Sequence, residues 1–164
     1  MMQKHKPSTE QIREWLDAVP DPEIPVISLV DLGVIRDIEW QGDRLRVTVT
    51  PTYSGCPATG IINLDIETAL RDRGIRNIEI VKTLSPAWTT DWISEKGREK
   101  MLAYGIVPPQ TGTACTSNSP APEVKCPRCN SENTKLVSQF GSTPCKSSYC
   151  CKECLEPFDY FKCI

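Results

Sequence analysis

Two Cys-x-x-Cys pairs near the end of this 164-residue chain constrain its fold more than any other feature. The pairs are Cys126 with Cys129 and Cys151 with Cys154, and 21 residues separate them. Each pair offers two thiolates from one turn, and two such turns complete a tetrahedron of sulfur around a metal ion. A segment of about 40 residues seldom folds on its core alone, so the metal would supply the fold. Asn130, just after Cys129, tolerates the left-handed backbone conformation that such a turn often needs. The spacing predicts a zinc ribbon over residues 124–164.

Two alternatives stay open at this metal site. The spacing does not distinguish zinc from a single iron ion, because both accept four thiolates. Cys150 is adjacent to Cys151 and could take its place, although the two-residue spacing favours Cys151.

Composition excludes several classes of partner. The net charge is −2 and apolar residues make up 39% of the chain, so we expect no nucleic-acid partner. No apolar run approaches the roughly 20 residues of a membrane span, so we expect no membrane partner. The basic N-terminus is not followed by an apolar core, which argues against a secretory signal. We therefore expect a cytoplasmic protein, in which clustered reduced cysteines bind metal rather than form disulfides.

A stretch rich in proline, serine and threonine divides the chain. Residues 108–123 have almost no charge and no large side chain that could build a core, which is typical of a flexible linker. The sequence thus predicts an α/β domain over residues 1–107, a linker over 108–123 and the ribbon over 124–164.

The predicted domain alternates helices and strands. Ser8 and Gln11 fit a capping box at the start of the first helix, and Gly74 would end the second helix. Two alternating strands flank a Gln-Gly-Asp turn, which indicates a hairpin, and a third strand covers residues 76–83. Thr90 is the predicted N-cap of the last helix. The order α-β-β-α-β-α predicts a small mixed three-stranded sheet with helices and a parallel crossover.

Cys56 stands apart from the cysteine cluster. It lies between the second strand and the second helix, with Pro57 in a position favoured at helix starts. A helix N-terminus favours a thiolate, which serves either as a nucleophile or as a metal ligand. The alternative is a small buried apolar side chain. The single histidine, His5, lies in the N-terminal leader, which argues against a Cys–His hydrolase.

Asp21 and Glu23 lie in a proline-braced turn, "DPEIP". One interpretation is that they end the first helix and shape the turn. The other is that they form a carboxylate pair beside Cys56 for a metal ion or for proton transfer.

Three longer strings carry a resemblance to a known family. The strings "DPEIPVISLVDLGVI", "VTVTPTYSGCPAT" and "PAWTTDWISEKGREKMLAYGI" resemble the domain of cytosolic iron–sulfur assembly factors, the metal–sulfur cluster biosynthetic family. With its ribbon, the chain is similar to a bacterial phenylacetate-degradation family associated with phenylacetyl-CoA epoxidase. The resemblance covers nearly the whole chain outside the leader and the linker.

The resemblance implies a non-enzymatic accessory or maturation factor. Cys56 would hold or pass iron or an iron–sulfur cluster beside Asp21 and Glu23, and the four ribbon cysteines would bind structural zinc. The implied partners are the oxygenase or reductase components of the epoxidase. One cysteine cannot hold a cluster that needs four ligands, so a homodimer or a client protein would share it.

Two other functions are compatible with the sequence. The chain could be a stoichiometric, non-catalytic subunit of the epoxidase complex. It could also be a zinc-ribbon thiol-redox protein in which Cys115 resolves a disulfide with Cys56. The absence of a Glu-x-x-His pair and of flavin, NAD or ferredoxin motifs argues against catalysis by the chain itself.

Overall fold

The computed structural model describes residues 6–110 and 123–162. Its contacts divide the chain into two units, the first ending at Trp88 and the second beginning at Thr89. None of the helices in the described ranges is long and apolar enough to cross a membrane.

The first unit contains a three-stranded sheet and two helices. Its elements are α1 (Thr9–Leu16), β1 (Ile35–Gln41), β2 (Arg44–Val49), α2 (Thr59–Asp72) and β3 (Ile78–Lys82). The sheet order is β1-β2-β3, with β1 antiparallel to β2 and β2 parallel to β3. The predicted hairpin, the parallel crossover and the mixed sheet are thus confirmed.

Local sequence signals explain the helices of this unit. The Ser8 hydroxyl oxygen accepts a hydrogen bond from the Gln11 N–H at 3.1 Å, as predicted for the cap of α1. Buried apolar residues recur every fourth position along α2, at Ile62, Ile66 and Leu70, so this helix packs one side into the core. Gly74 follows α2 with a φ of 87°, the left-handed conformation that suits glycine at a helix end.

The second unit combines a helix with a four-stranded sheet. After a 3₁₀ turn over Thr90–Trp92 come α3 (Glu95–Ala103), β4 (Ile106–Val107), β5 (Thr134–Ser138), β6 (Lys146–Cys151) and β7 (Pro157–Phe161). The sheet order is β4-β7-β6-β5, and only the pairing of β4 with β7 is parallel. A small core of Val124, Tyr149, Phe158, Tyr160 and two cysteines lies against this sheet.

The start of the last helix differs from the prediction. Ile93 has an extended backbone that separates the 3₁₀ turn from α3. The Ser94 hydroxyl oxygen then accepts a hydrogen bond from the Gly97 N–H at 2.9 Å and caps α3. Thr90 was therefore the wrong N-cap, because Ser94 offers the same capping chemistry four residues later.

The contacts divide the chain at a different residue from the predicted domain boundary, which stays a prediction. The prediction placed the boundary after residue 107, whereas the contacts divide the chain after Trp88. Since β4 pairs with β7, residues 89–107 group with the ribbon. Most of the predicted linker, residues 111–122, lies outside the described residues, so the linker stays a prediction.

Truncating two aliphatic side chains of α2 to alanine should change the stability of the protein by very different amounts. Ile66 is fully buried, so Ile66→Ala should lower the free energy of unfolding by about 2–5 kcal/mol. Leu64 is 62% exposed, so Leu64→Ala should change it by less than about 0.5 kcal/mol. Urea unfolding followed by circular dichroism checks the pair. Equal losses in the two variants would contradict the packing of α2.

Candidate functional site

Cys56 lies in a hydrogen-bonded turn that leads directly into α2. Its N–H donates to the Tyr53 carbonyl oxygen at 3.2 Å, and its carbonyl oxygen accepts from the Thr59 N–H at 3.3 Å. The Thr59 hydroxyl donates to the same carbonyl oxygen at 2.9 Å. The side chain of Cys56 is half-buried. The turn therefore holds the sulfur just before α2, as predicted. Because α2 begins at Thr59 with Ala58 as its N-cap, Pro57 lies before the helix rather than at its first position.

Asp21 is a structural part of the acidic turn. Its side chain is buried, and its Oδ1 atom accepts hydrogen bonds from the N–H groups of Glu23 at 2.9 Å and Ile24 at 2.8 Å. Its own N–H donates to the Ile27 carbonyl oxygen at 2.9 Å. Asp21 thus shapes the turn in the way that aspartate does where the chain reverses.

The same turn acts electrostatically on Cys56. Burial is the largest cause that raises the pKa of the Cys56 thiol, and the charges of Glu23 and Asp21 raise it further. The Ala58 N–H and the Tyr53 hydroxyl oppose this by lowering the pKa, but they do not reverse it. The acidic turn is therefore close enough to act on the thiol, in addition to its role in the backbone.

The sign of this pKa shift corrects one expectation. We expected the N-terminus of α2 to favour the thiolate, and the Ala58 N–H does act in that direction. Burial outweighs it, because a half-buried sulfur loses the water that would stabilise its charge. The net effect of these groups is to favour the protonated thiol.

Two buried polar atoms, one at the end of β2 and one in α2, were not predicted. The Thr50 hydroxyl, just after β2, and the Asn63 side-chain oxygen, on α2, are buried without a hydrogen-bond partner among the described residues. Buried polar atoms in this state are uncommon and call for an explanation. An asparagine inside the apolar run of α2 was a sequence signal for one of them, whereas Thr50 had none.

The four predicted ribbon cysteines converge in the second unit. The sulfur atoms of Cys126 and Cys154 are 3.6 Å apart, as are those of Cys129 and Cys151. All four sulfur atoms lie within 4.8 Å of one another. A tetrahedral site with Zn–S bonds of about 2.3 Å has sulfur atoms about 3.8 Å apart. The arrangement therefore fits a metal ion bound by four thiolates.

The two cysteine turns have the same backbone design. The N–H of Cys126 donates to the Ser131 carbonyl oxygen, and the N–H of Cys151 donates to that of Glu156, both at 2.9 Å. The residue four positions after each first cysteine is left-handed: Asn130 has a φ of 59° and Leu155 a φ of 62°. The left-handed Asn130 was predicted. Leu155 was not, because a branched apolar residue seldom adopts this conformation.

The close approach of the four thiols is accompanied by pKa shifts of opposite sign at Cys154 and Cys151. The Glu156 N–H lowers the pKa of Cys154, but burial and the other three cysteines raise it to about 12. The Cys154 N–H is the largest cause that lowers the pKa of Cys151, to about 7. Four adjacent thiols cannot all lose their protons without a cation, so metal binding would release protons.

Cys150 and Cys145 lie outside this cluster. The sulfur of Cys150 is 3.8 Å from the Leu155 carbonyl oxygen, and it is Cys151 that lies with the other three ligands. Cys145 is buried, with its sulfur 3.0 Å from the Thr143 hydroxyl oxygen. Cys115 lies outside the described residues, so a disulfide between Cys56 and Cys115 stays a prediction.

The fold and both cysteine sites define a class of protein in which an iron–sulfur assembly domain is joined to a zinc ribbon. The family model "Iron-sulfur cluster assembly protein" matches residues 9–80. The model "PaaD zinc beta ribbon domain" matches residues 110–162. One subunit of the "Putative 1,2-phenylacetyl-CoA epoxidase" of Escherichia coli (strain K12) is 48% identical over 158 residues, 96% of this chain and 94% of the relative. The chain belongs to the PaaD family.

Shorter relatives match the first part of the chain. The "Fe-S protein maturation auxiliary factor YitW" of Bacillus subtilis (strain 168) is 35% identical over 59% of this chain and 93% of its own length. The crystal structure of a domain of unknown function, DUF59, from Bacillus anthracis is 28% identical with a TM-score of 0.51. It covers 58% of this chain and 90% of that one. The first relative supports a general role in maturation, and the second supports the fold of the matched part.

Removing the charge of Glu23 should make Cys56 more reactive. Because that charge helps raise the pKa of Cys56, Glu23→Gln should lower the pKa and increase the thiolate fraction at pH 8. Alkylation of Cys56 by iodoacetamide, followed by peptide mass spectrometry, should then be severalfold faster than in the wild type. Glu14→Gln, an exposed change on α1, is the control and should leave the rate unchanged. Slower alkylation of Glu23→Gln would contradict the electrostatic account.

Loss of one ribbon cysteine should remove tightly bound metal. Cys126→Ala deletes one of the four converging sulfur atoms, so the purified variant should lose its stoichiometric metal. Cys56→Ala and Cys150→Ala should retain it, because neither sulfur belongs to the cluster. Inductively coupled plasma mass spectrometry measures the metal per chain and identifies it. Stoichiometric metal in Cys126→Ala would contradict the four-cysteine site.

Proposed function

We propose that this chain is a cytoplasmic accessory factor that matures a component of the phenylacetyl-CoA epoxidase system in aerobic phenylacetate degradation. Cys56 takes iron or an iron–sulfur cluster as cargo and passes it to an oxygenase or reductase component. The chain itself does not turn over substrate. The ribbon cysteines hold a structural zinc ion, whose role is to fix the fold of the second unit.

The observation that carries the proposal is the environment of Cys56, whose thiol is half-buried and is affected by the charges of two carboxylates. The charges of Glu23 and Asp21 act on its sulfur, so a cation at the thiol would be attracted by both carboxylates. Neutralising that charge removes part of what raises the pKa of Cys56, and the proton leaves as the sulfur binds. The site thus holds cargo when a cation is present and returns to a neutral thiol after delivery.

The relatives support the direction of this proposal. One is named as an epoxidase subunit and another as an iron–sulfur maturation factor. A single cysteine supplies one of the four ligands that a common cluster needs, which suits transient carriage better than permanent storage. The remaining ligands would come from the client.

A second candidate function follows from the name of the relative in Escherichia coli, which describes it as part of the epoxidase. A stoichiometric, non-catalytic subunit would remain in the active epoxidase at one copy per complex. A maturation factor would be required during assembly and absent from the purified, active enzyme. Quantitative mass spectrometry of the active complex distinguishes them, and one-to-one retention would favour the structural role.

The experiment for the proposed function uses epoxidase made in cells that contain wild type, Cys56→Ala or Cys150→Ala. Cys150 is also a half-buried free cysteine, which makes its variant a matched control. We expect epoxidase from Cys56→Ala cells to have the iron content and activity of epoxidase from cells lacking the chain. Cys150→Ala should support normal iron loading. Fully loaded epoxidase in Cys56→Ala cells would overturn the proposal.

A further inference from the structure

The side of α2 that faces solvent begins as an apolar surface beside Cys56. Pro57 in the preceding turn, Gly60, Ile61 and Leu64 are all exposed, and their spacing places them on one side of the helix. We call these four residues the α2 face. Ile61 is 52% exposed and Leu64 is 62% exposed.

The core does not require this face to be apolar. The opposite side of α2 already provides the buried residues of the helix, Ile62, Ile66 and Leu70. The next exposed position along the face, Thr68, is polar, so the apolar surface is confined to the half of α2 near Cys56. A Cβ atom added at Gly60 would have no neighbour within 4 Å. The surface is therefore open.

We propose that the α2 face is the docking surface for the client protein that receives the cargo from Cys56. The client would present an apolar patch flanked by lysine or arginine side chains. This inference rests on the proposed function, since it names the surface through which that function is exercised.

The size of the face argues for a transient partner. A stable dimer buries about 800 Å² on each partner, or roughly 20–30 residues a side. The α2 face offers only four uncharged residues, of which two have large side chains. A small apolar centre of this kind suits a short-lived encounter, which is what delivery followed by release requires.

Charge favours a partner other than a second copy of this chain. Two carboxylates, those of Glu23 and Asp21, act on Cys56. The Lys82 ammonium group donates to the Ser54 carbonyl oxygen of the same loop at 3.4 Å, and the two carboxylates together exceed its charge. A symmetric dimer through the α2 face would bring two acidic turns together, whereas a basic client complements them.

The test measures binding to purified epoxidase that was produced without this chain and is therefore unloaded. Leu64→Glu places a charge at the more exposed of the two large side chains of the face and should weaken binding at least about tenfold. Thr68→Glu places the same charge one turn farther from Cys56 on the same side and should stay within about twofold of the wild type. Biolayer interferometry measures both, and circular dichroism checks that both fold.

Three results would overturn the docking proposal. They are wild-type affinity in Leu64→Glu, an absence of binding by the wild type, and a stable wild-type dimer in analytical ultracentrifugation that Leu64→Glu dissociates. Cys56→Ala separates this proposal from the function beneath it. We expect Cys56→Ala to bind the epoxidase like the wild type yet fail to load it. Normal loading of the epoxidase by Cys56→Ala would overturn the proposed carrier function. The binding data would still decide whether the α2 face is the docking surface.

Discussion

The parallel pairing of β2 with β3 is the constraint on which the thiol site depends. Parallel neighbours need a long crossover, here α2, and the chain must turn at the end of β2 before that helix begins. Cys56 lies in this turn. Backbone hydrogen bonds bring the acidic turn to the same side: the Thr50 N–H donates to the Val34 carbonyl oxygen at 2.9 Å, and the Leu29 N–H to that of Val19 at 3.0 Å. Ligands commonly bind where strands end in sheets of this kind.

The two sets of cysteines illustrate opposite uses of the same side chain. In the ribbon, four sulfur atoms lie so close together that only a cation can compensate the negative charges of their thiolates. Binding of that cation would stabilise the fold of the ribbon. At Cys56, a single sulfur is kept neutral by burial and by two carboxylates. A neutral thiol resists adventitious oxidation and binding, because the thiolate is the reactive form. Burial and the two carboxylates thus both oppose formation of the reactive thiolate at Cys56.

Much of the fold followed from local signals in the sequence. The side chains of Ser8 and Asn130, and the absence of a side chain at Gly74, each suit one particular backbone conformation. The structure confirms all three predictions. Ser94 and Thr90 offered the same cap, so the sequence could not choose between them. The pairing of β4 with β7 joins residues about 50 positions apart, and a two-residue strand leaves no periodic pattern to detect.

The electrostatics of Cys56 were harder to predict than its position. The helix N-terminus was visible in the sequence, but the depth of burial that outweighs it is a property of the folded chain. Leu155 shows the same limit: its left-handed backbone is imposed by the second cysteine turn against the preference of the residue. The spacing of the cysteines was enough to predict which of them lie together. The pKa shift of a thiol depends on its burial and on neighbouring groups, which only the folded structure shows.

The short strand β4 changes what the proline-rich stretch connects. Gln110 and Glu123, the described residues on its two sides, both belong to the second unit, and β4 before the stretch pairs with β7 after it. The chain passes between the units only once, at Trp88 and Thr89. A change in the length of this stretch would therefore leave the covalent connection between the two units unaltered.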